Sequence, residues 1–217
     1  MLYIVATPIG NLEDMTFRAV RTLKEVDYIA CEDTRTSGVL LNAYDIKKIL
    51  LSYHSFSSGF KLDKIIDLLK EGKDIALISD AGTPGISDPG YMLVKTAIEN
   101  DIQICPIPGV SACITALSAS GMQMNHFLYL GFLPVKKGRQ TLFTSLQNKE
   151  QTVVIYESVH RLLRTLEDLV KYFGANHYIV VGRELTKKFE EFKRGEVGEV
   201  LEYFKKQNLK GEFVIMF

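Results

Sequence analysis

Residues Ile75 to Gly90 read IALISDAGTPGISDPG. The stretch opens with four apolar residues, Ile75-Ala76-Leu77-Ile78, bounded by polar and turn residues. That is the pattern of a short strand buried on both faces in a parallel sheet. Ser79 and Asp80 follow, and then three glycines (Gly82, Gly85, Gly90) and two prolines (Pro84, Pro89) crowd into a short span. Such a span continues neither a strand nor a helix; it makes a shaped loop whose backbone can approach a ligand closely. Asp88-Pro89 predicts a helix start, with Asp as N-cap and Pro at the first helical position. A plain strand-to-helix connection needs only ~2–6 residues. The extra length falls at the carboxyl end of a parallel strand, where open α/β sheets bind ligands.

Toward the N-terminus the same unit repeats. Leu2 to Ala6 is a strand that ends in the tight turn Thr7-Pro8-Ile9-Gly10-Asn11. Asp14 or Thr16 then caps a helix carrying Phe17, Val20, Leu23 and Val26 at helical spacing. Tyr28 to Cys31 is a second strand, ending in Glu32-Asp33-Thr34-Arg35. Ile49 to Tyr53 is a third, ending at His54 among Ser52, Ser55, Ser57 and Ser58. Phe60 to Glu71 is an amphipathic helix with Leu62, Ile65, Ile66 and Leu69 inward. Beyond the central loop, Tyr91 to Asn100 is a helix and Ile102 to Ile107 a strand. The turn Pro108-Gly109-Val110 brings Ser111 to the start of a helix over Ala112 to Ala119. Free N–H groups at a helix start suit the polar end of a ligand. Five βα-type units thus converge their loops on one rim. Neither G-x-G-x-x-G nor G-x-x-x-x-G-K-[ST] occurs, which argues against nicotinamide and ATP sites.

After about residue 122 the pattern changes. Phe127 to Phe132 is a strand leading into a basic loop with Lys136, Lys137 and Arg139. Gln151 to Tyr156, His177 to Val181, Phe192 to Gly195 and Glu212 to Phe217 read as strands. Arg161 to Phe173 and Glu196 to Lys206 read as helices. Connections are shorter here, and antiparallel pairing is expected. The fold class is therefore α/β in two domains, 1–122 and 123–217. The first carries a mostly parallel sheet with helices on both faces, the second a mixed sheet.

The bulk numbers agree with a folded globular chain. It has 217 residues, 47% hydrophobic and 24% charged, with 26 basic and 26 acidic side chains and no net charge. No apolar run approaches the ~20 residues of a membrane span. The N-terminus lacks a basic leader, so no signal peptide is expected. Cys31, Cys105 and Cys113 have no metal-type spacing and sit in or beside apolar runs, predicting reduced thiols, a cytoplasmic location and no metal. With no global field to steer a polyanion, any nucleic-acid contact must be local.

In order along the chain stand TPIGNLEDMTFRA, CEDTRTSGVLL, ALISDAGTPGISDPG, IPGVSA, GFLPVKKGR, YESVHRL, RELTKKFEE and KGEFVI. Together they resemble the tetrapyrrole-methylase superfamily of S-adenosylmethionine-dependent enzymes over essentially the whole chain. The first loop, Thr7 to Asn11, lacks the G-x-G-[PA]-G-D form of the corrin and porphyrin enzymes. It is similar to the branch acting on the ribose 2′-oxygen of a cytidine in 16S ribosomal RNA, near the decoding centre. The resemblance implies two α/β domains with the cofactor in the cleft between them, a homodimer, and a small-subunit substrate. It implies cofactor contacts at Pro8, Gly10, Asp80, Ala81, Gly82, Thr83, Ser111 and Ala112, with Tyr156, Leu185 and Gly211 from the second domain. Two departures touch substrate contacts: Val159 stands where relatives commonly have Pro, and Leu130 where an acidic residue often precedes GFLP.

For chemistry, Glu32, Asp33 and Arg35 are the leading candidates on the rim. One carboxylate would orient or deprotonate the 2′-hydroxyl and Arg35 would hold a phosphate, with His54 as a competing base. Lys136, Lys137, Arg139 and Arg161 are expected to meet RNA phosphates. The alternatives are a tetrapyrrole methyltransferase and a non-catalytic cofactor-binding module.

Overall fold

The computed structural model describes residues 1–54 and 59–217. Ser55, Ser57 and Ser58, singled out above around His54, lie outside the described residues. By its internal contacts the chain divides into two compact units, Met1–Ser111 and Ala112–Phe217.

The first unit is built on β1 (Leu2–Val5), β2 (Tyr28–Cys31), β3 (Ile49–Ser52), β4 (Ile75–Leu77) and β5 (Ile104–Ile107). They form one sheet in the order β3-β2-β4-β1-β5, and every pairing is parallel. Helices α1 (Phe17–Glu25), α2 (Thr34–Ala43), α3 (Gly59–Lys70) and α4 (Tyr91–Glu99) connect them. Side chains alternate across each strand. Ile75 and Leu77 therefore join Leu2, Ile65, Ile66, Leu69 and Leu93 on one face. Ala76 and Ile78 join Val5, Leu23, Ile29 and Leu41 on the other. The sheet is buried on both faces, as its near-continuous apolar runs require.

Local chemistry explains most boundaries. Thr16 accepts a hydrogen bond from the Ala19 N–H and caps α1, while Asp33 accepts from the Arg35 N–H and caps α2. One expectation is corrected. Helix α4 begins at Tyr91 with Gly90 as its cap, and no side chain caps it. Asp88-Pro89 lies upstream, in the loop, because a Cβ at Gly90 would come within 3.1 Å of the Gly85 nitrogen. The loop folds back on itself at a point only glycine allows, and the helix starts beyond it.

The second unit contains α5 (Ala112–Ser120), β6 (Phe127–Phe132), α6 (Arg139–Leu146), β7 (Thr152–Ser158), α7 (Leu162–Phe173), β8 (Tyr178–Arg183), β9 (Glu191–Glu196), α8 (Val197–Lys205) and β10 (Glu212–Met216). Its sheet order is β6-β7-β10-β8-β9. β6 and β7 are parallel and the remaining pairings antiparallel, a mixed sheet as expected. Leu162, Leu166 and Leu169 of α7 and Val197, Val200 and Phe204 of α8 pack with Ile155, Val181 and Ile215 on one face. Helix α5 packs on β7, β8 and β10. Sequence order makes α5 the helix of the fifth βα unit; its apolar face covers the second sheet. Among the described residues no helix is long and apolar enough to cross a membrane.

Candidate active site

Because all five strands of the first sheet are parallel, their carboxyl-end loops share one edge. Three of these loops are stitched together. The Thr7 N–H donates to the Gly82 carbonyl and the Gly82 N–H to the Thr7 carbonyl, both at 2.9 Å. Thr7 Oγ1 also donates to the Ser79 carbonyl at 3.0 Å, and Thr83 Oγ1 to the Val110 carbonyl at 2.9 Å. The third loop closes on the first at Gly109, where a Cβ would lie 2.8 Å from the Ala6 Cβ. The expected cofactor residues Pro8, Gly10, Asp80, Ala81, Gly82 and Thr83 therefore belong to one backbone-bonded group. Pro8 and Gly82 are buried, whereas Gly10, Asp80 and Ala81 are exposed. Ser111 follows this group in the chain and Ala112 opens α5.

Beside these loops lies a cavity of about 520 Å³ lined by Glu32, Asp33, Thr34, Arg35, Ser52, His54 and Asp80. The four catalytic candidates, contributed by the ends of β2 and β3, thus meet around one space together with Asp80 from the central loop. The Asp33 N–H donates to Asp80 Oδ1 at 3.3 Å, tying the rim to the stitched loops.

The neighbouring carboxylates are driven apart. Burial, then the charge of Asp80, pushes the Glu32 carboxyl up, against the opposing pull of His54. Hydrogen bonds from the Arg35 side chain and backbone hold Asp33 down to about 2. The pair Arg35 Nη2–Asp33 Oδ2 is 2.7 Å long. Asp33 is thus committed to Arg35 and to the α2 cap, and it is a weak base. Glu32 keeps the basicity a proton acceptor needs. A further carboxylate joins the group: Asp88, whose carboxyl is pushed up to about 6 by burial, then by Glu32, despite a hydrogen bond with Ser79. The N-cap reading of Asp88-Pro89 hid this residue; its spacing from Ser79 and Asp80 within one loop was the available signal.

In the second unit the expected cofactor residues fall into two groups. The hydroxyl of Tyr156 accepts the Cys113 N–H at 2.9 Å, satisfying a free donor in the first turn of α5. Leu185 is flanked by Glu184 and Thr186, both with positive φ (49° and 66°). A non-glycine backbone held in this region is costly and marks functional loops. Gly211 is pressed against it: a Cβ there would lie 2.5 Å from the Glu184 side chain. Lys187 Nζ binds Glu184 at 2.9 Å and Glu212 at 2.8 Å, and Thr186 Oγ1 is buried with no partner among the described residues.

The basic residues of the second unit separate. Lys136 and Lys137 are exposed. Arg139 is only 4% exposed, which corrects its expected contact with RNA phosphate. Its Nε donates to Asp168 at 2.8 Å, its Nη2 to Thr165 Oγ1 at 2.8 Å and its Nη1 to the Pro134 carbonyl at 3.2 Å. Arg161 is turned inward as well, bonded to Glu157 at 2.8 Å and to the Leu133 carbonyl at 2.9 Å. Thr165 Oγ1 donates to Glu157 Oε2 at 2.6 Å and completes the network. The Glu157–Arg161 pair joins the end of β7 to the cap of α7, four residues on in the chain. Sequence spacing could not reveal Arg139–Asp168, which only the packing of α6 on α7 creates.

A family model for Tetrapyrrole (Corrin/Porphyrin) Methylases matches residues 1–201. A protein of Halalkalibacterium halodurans named Ribosomal RNA small subunit methyltransferase I is 50% identical over 99% of this chain and 74% of its own length. A protein of the same name from Streptococcus pyogenes serotype M3 is 48% identical, over 99% and 75%. Among solved structures, the uroporphyrin-III C-methyl transferase of Thermus thermophilus complexed with S-adenyl homocysteine superposes with a TM-score of 0.69. It is 17% identical, covering 99% of this chain and 96% of that one, and shares the fold.

Proposed function

The chain belongs to the tetrapyrrole (corrin/porphyrin) methylase family, and from that premise we propose that it is an S-adenosylmethionine-dependent methyltransferase of small-subunit ribosomal RNA. The near-half identity over almost the whole chain to relatives of that name carries the reading. The finer assignment is 2′-O-methylation of a cytidine ribose near the decoding centre of 16S rRNA, by a homodimer in the cytoplasm. Its support is the sequence resemblance and a site built for proton removal.

The residues present suit the cofactor. Its ammonium needs an anion, and Asp80 offers an exposed carboxylate; its carboxylate needs N–H donors, which would come from backbone beside Gly82, whose own N–H is committed to the Thr7 carbonyl. Gly10, which is exposed and carries no side chain, leaves the first loop open to close approach, while the bare Gly109 lets the third loop close on Ala6. Tyr156, Leu185 and Gly211 remain proposed contacts from the second unit; the strained backbone and orphaned Thr186 hydroxyl around Leu185 support this.

When bound, S-adenosylmethionine supplies a methyl group on a positive sulfur that departs as a neutral thioether. What the protein must do is align a hydroxyl with it, exclude water and remove a proton. We assign proton removal to Glu32: the 2′-hydroxyl proton moves to its carboxylate as the oxygen–carbon bond forms. Asp33 holds Arg35, whose exposed guanidinium takes a phosphate. His54 faces the same cavity and stands as the second candidate base. Lys136 and Lys137 meet RNA backbone.

Transfer of a labelled methyl group to small ribosomal subunits from cells lacking this activity tests the proposal. Label on a ribose of one cytidine is expected. Label on a base, or transfer only to a tetrapyrrole, would overturn the substrate assignment, and tight cofactor binding without any transfer would favour a binding module.

A further inference from the structure

We propose that Phe132 is a preformed stacking platform for an unpaired base of the RNA substrate, with Lys136 and Lys137 holding the flanking phosphates; this rests on the reading of the chain as an rRNA methyltransferase. Among the described residues β6 is an edge strand, paired with β7 alone. Its register runs Tyr129↔Val154 and then Gly131↔Ile155, so one extra residue, Leu130, is inserted as a bulge. Gly131 takes φ 62° there. A bulge with a left-handed glycine re-aims the side chain that follows. That side chain is Phe132, 54% exposed although Leu133 beside it is buried.

A lone exposed aromatic is unremarkable; the way this one is held is not. Its ring lies edge-on to Tyr156 at 5.8 Å, and Tyr156 lies edge-on to Tyr129 at 5.2 Å. Tyr156 is pinned in turn through its hydroxyl to the Cys113 N–H. On the other side of Phe132, the next two carbonyls, of Leu133 and Pro134, are gripped by Arg161 and Arg139. Those arginines are anchored in the Glu157–Thr165–Asp168 network. The chain is thus clamped before and after the ring, and a platform already fixed loses little freedom when a partner binds. Four and five residues on, the same loop presents two exposed lysines. An aromatic face beside cationic side chains is the chemistry that recognises single-stranded RNA, which stacks its bases on rings and lays its phosphates on lysine and arginine. Arg139 and Arg161, expected from sequence to touch RNA, act as positioning residues for the loop that does.

The test uses the full chain with Phe132→Ala, Phe132→Leu and Phe132→Trp. Steady-state methylation of small subunits is measured beside cofactor affinity by calorimetry. A second readout is the fluorescence of a single-stranded RNA oligonucleotide carrying 2-aminopurine, which is quenched on stacking and needs no turnover. Phe132→Ala is expected to raise KM for the subunit on the order of ten- to a hundredfold, to leave cofactor affinity unchanged and to abolish the quenching seen with the unmodified protein. Trp restores both readouts and Leu neither. Replacing Lys136 and Lys137 by Gln lowers the slope of log affinity against log salt by about 1.4, two single-strand phosphates. An unchanged KM, full rescue by Leu, or a loss of cofactor affinity in place of RNA affinity would overturn the platform. If the unmodified protein methylates no ribosomal substrate, the functional reading fails by itself, and quenching abolished or kept in Phe132→Ala still decides the platform.

Discussion

Glu157 and Arg139 of the second unit are 1% and 4% exposed, and their charges are matched by Arg161, Thr165 and Asp168 within hydrogen-bond distance. In the first unit, burial and then the charge of Asp80 push Glu32 up, and burial and then the charge of Glu32 push Asp88 up. Asp33 of that group is held by the guanidinium of Arg35 at 2.7 Å. Both regions are rich in charge, and a sequence reading weights them alike. The difference is satisfaction. A buried group with every donor and acceptor matched is finished structurally and offers nothing to a substrate. A cluster of like charges is held at a cost, and such clusters mark chemistry.

Three substitutions can break or sharpen this contrast. The largest effect is expected from Arg139→Ala, which strands Asp168 and removes the partner of Thr165. It should lower stability by about 3–5 kcal/mol, read from denaturant unfolding. A loss below about 1 kcal/mol would mean that the network is not the structural clamp described here. Glu32→Gln should act in the opposite sense: methyl transfer falls on the order of a hundredfold or more, while the unfolding midpoint stays level or rises as one like charge disappears. A fully active Glu32→Gln would move the role of base to His54. The smallest effect concerns Asp88. Its folded pKa of about 6 lies above the unfolded value of about 3.9. The native state therefore keeps a proton that the unfolded chain releases, and this contribution is fully present below pH ~4 and lost as pH rises through about 6. Asp88→Asn should remove that decline and leave the protein more stable than the unsubstituted chain at pH 7. Superimposable pH–stability curves would show that Asp88 is solvated like any surface carboxylate.

How far the sequence reaches differs between these regions for a physical reason. The cavity residues sit at the carboxyl ends of strands, and parallel strands align their ends, so Glu32, Asp33, Arg35 and His54 could be grouped before any coordinates. The arginines could not be sorted. Arg139 and Lys137 stand two apart in sequence, yet one is sealed against Asp168 and the other is open, because Arg139 opens α6, which packs on α7, whereas Lys137 lies in the turn before it. Asp88 was hidden by a local rule: Asp-Pro is a sound helix start in isolation, but Gly90 lets the loop close on Gly85 and carries the helix start past it. Phe132 was invisible for a similar reason, since the bulge at Leu130 depends on the register with β7.

The sequence by itself determined the strands, the helices, the parallel and mixed sheets and the family, because periodicity, turn chemistry and motif order are local or linear properties. It also grouped Glu32, Asp33, Arg35 and His54 at one end of the parallel strands, where the cavity is found. Only the tertiary structure decided which charges are paired and which are left facing a cavity, and which aromatic ring is turned outward. Pairing, burial and register depend on distances between residues far apart in the chain, and those distances exist only once the elements have packed.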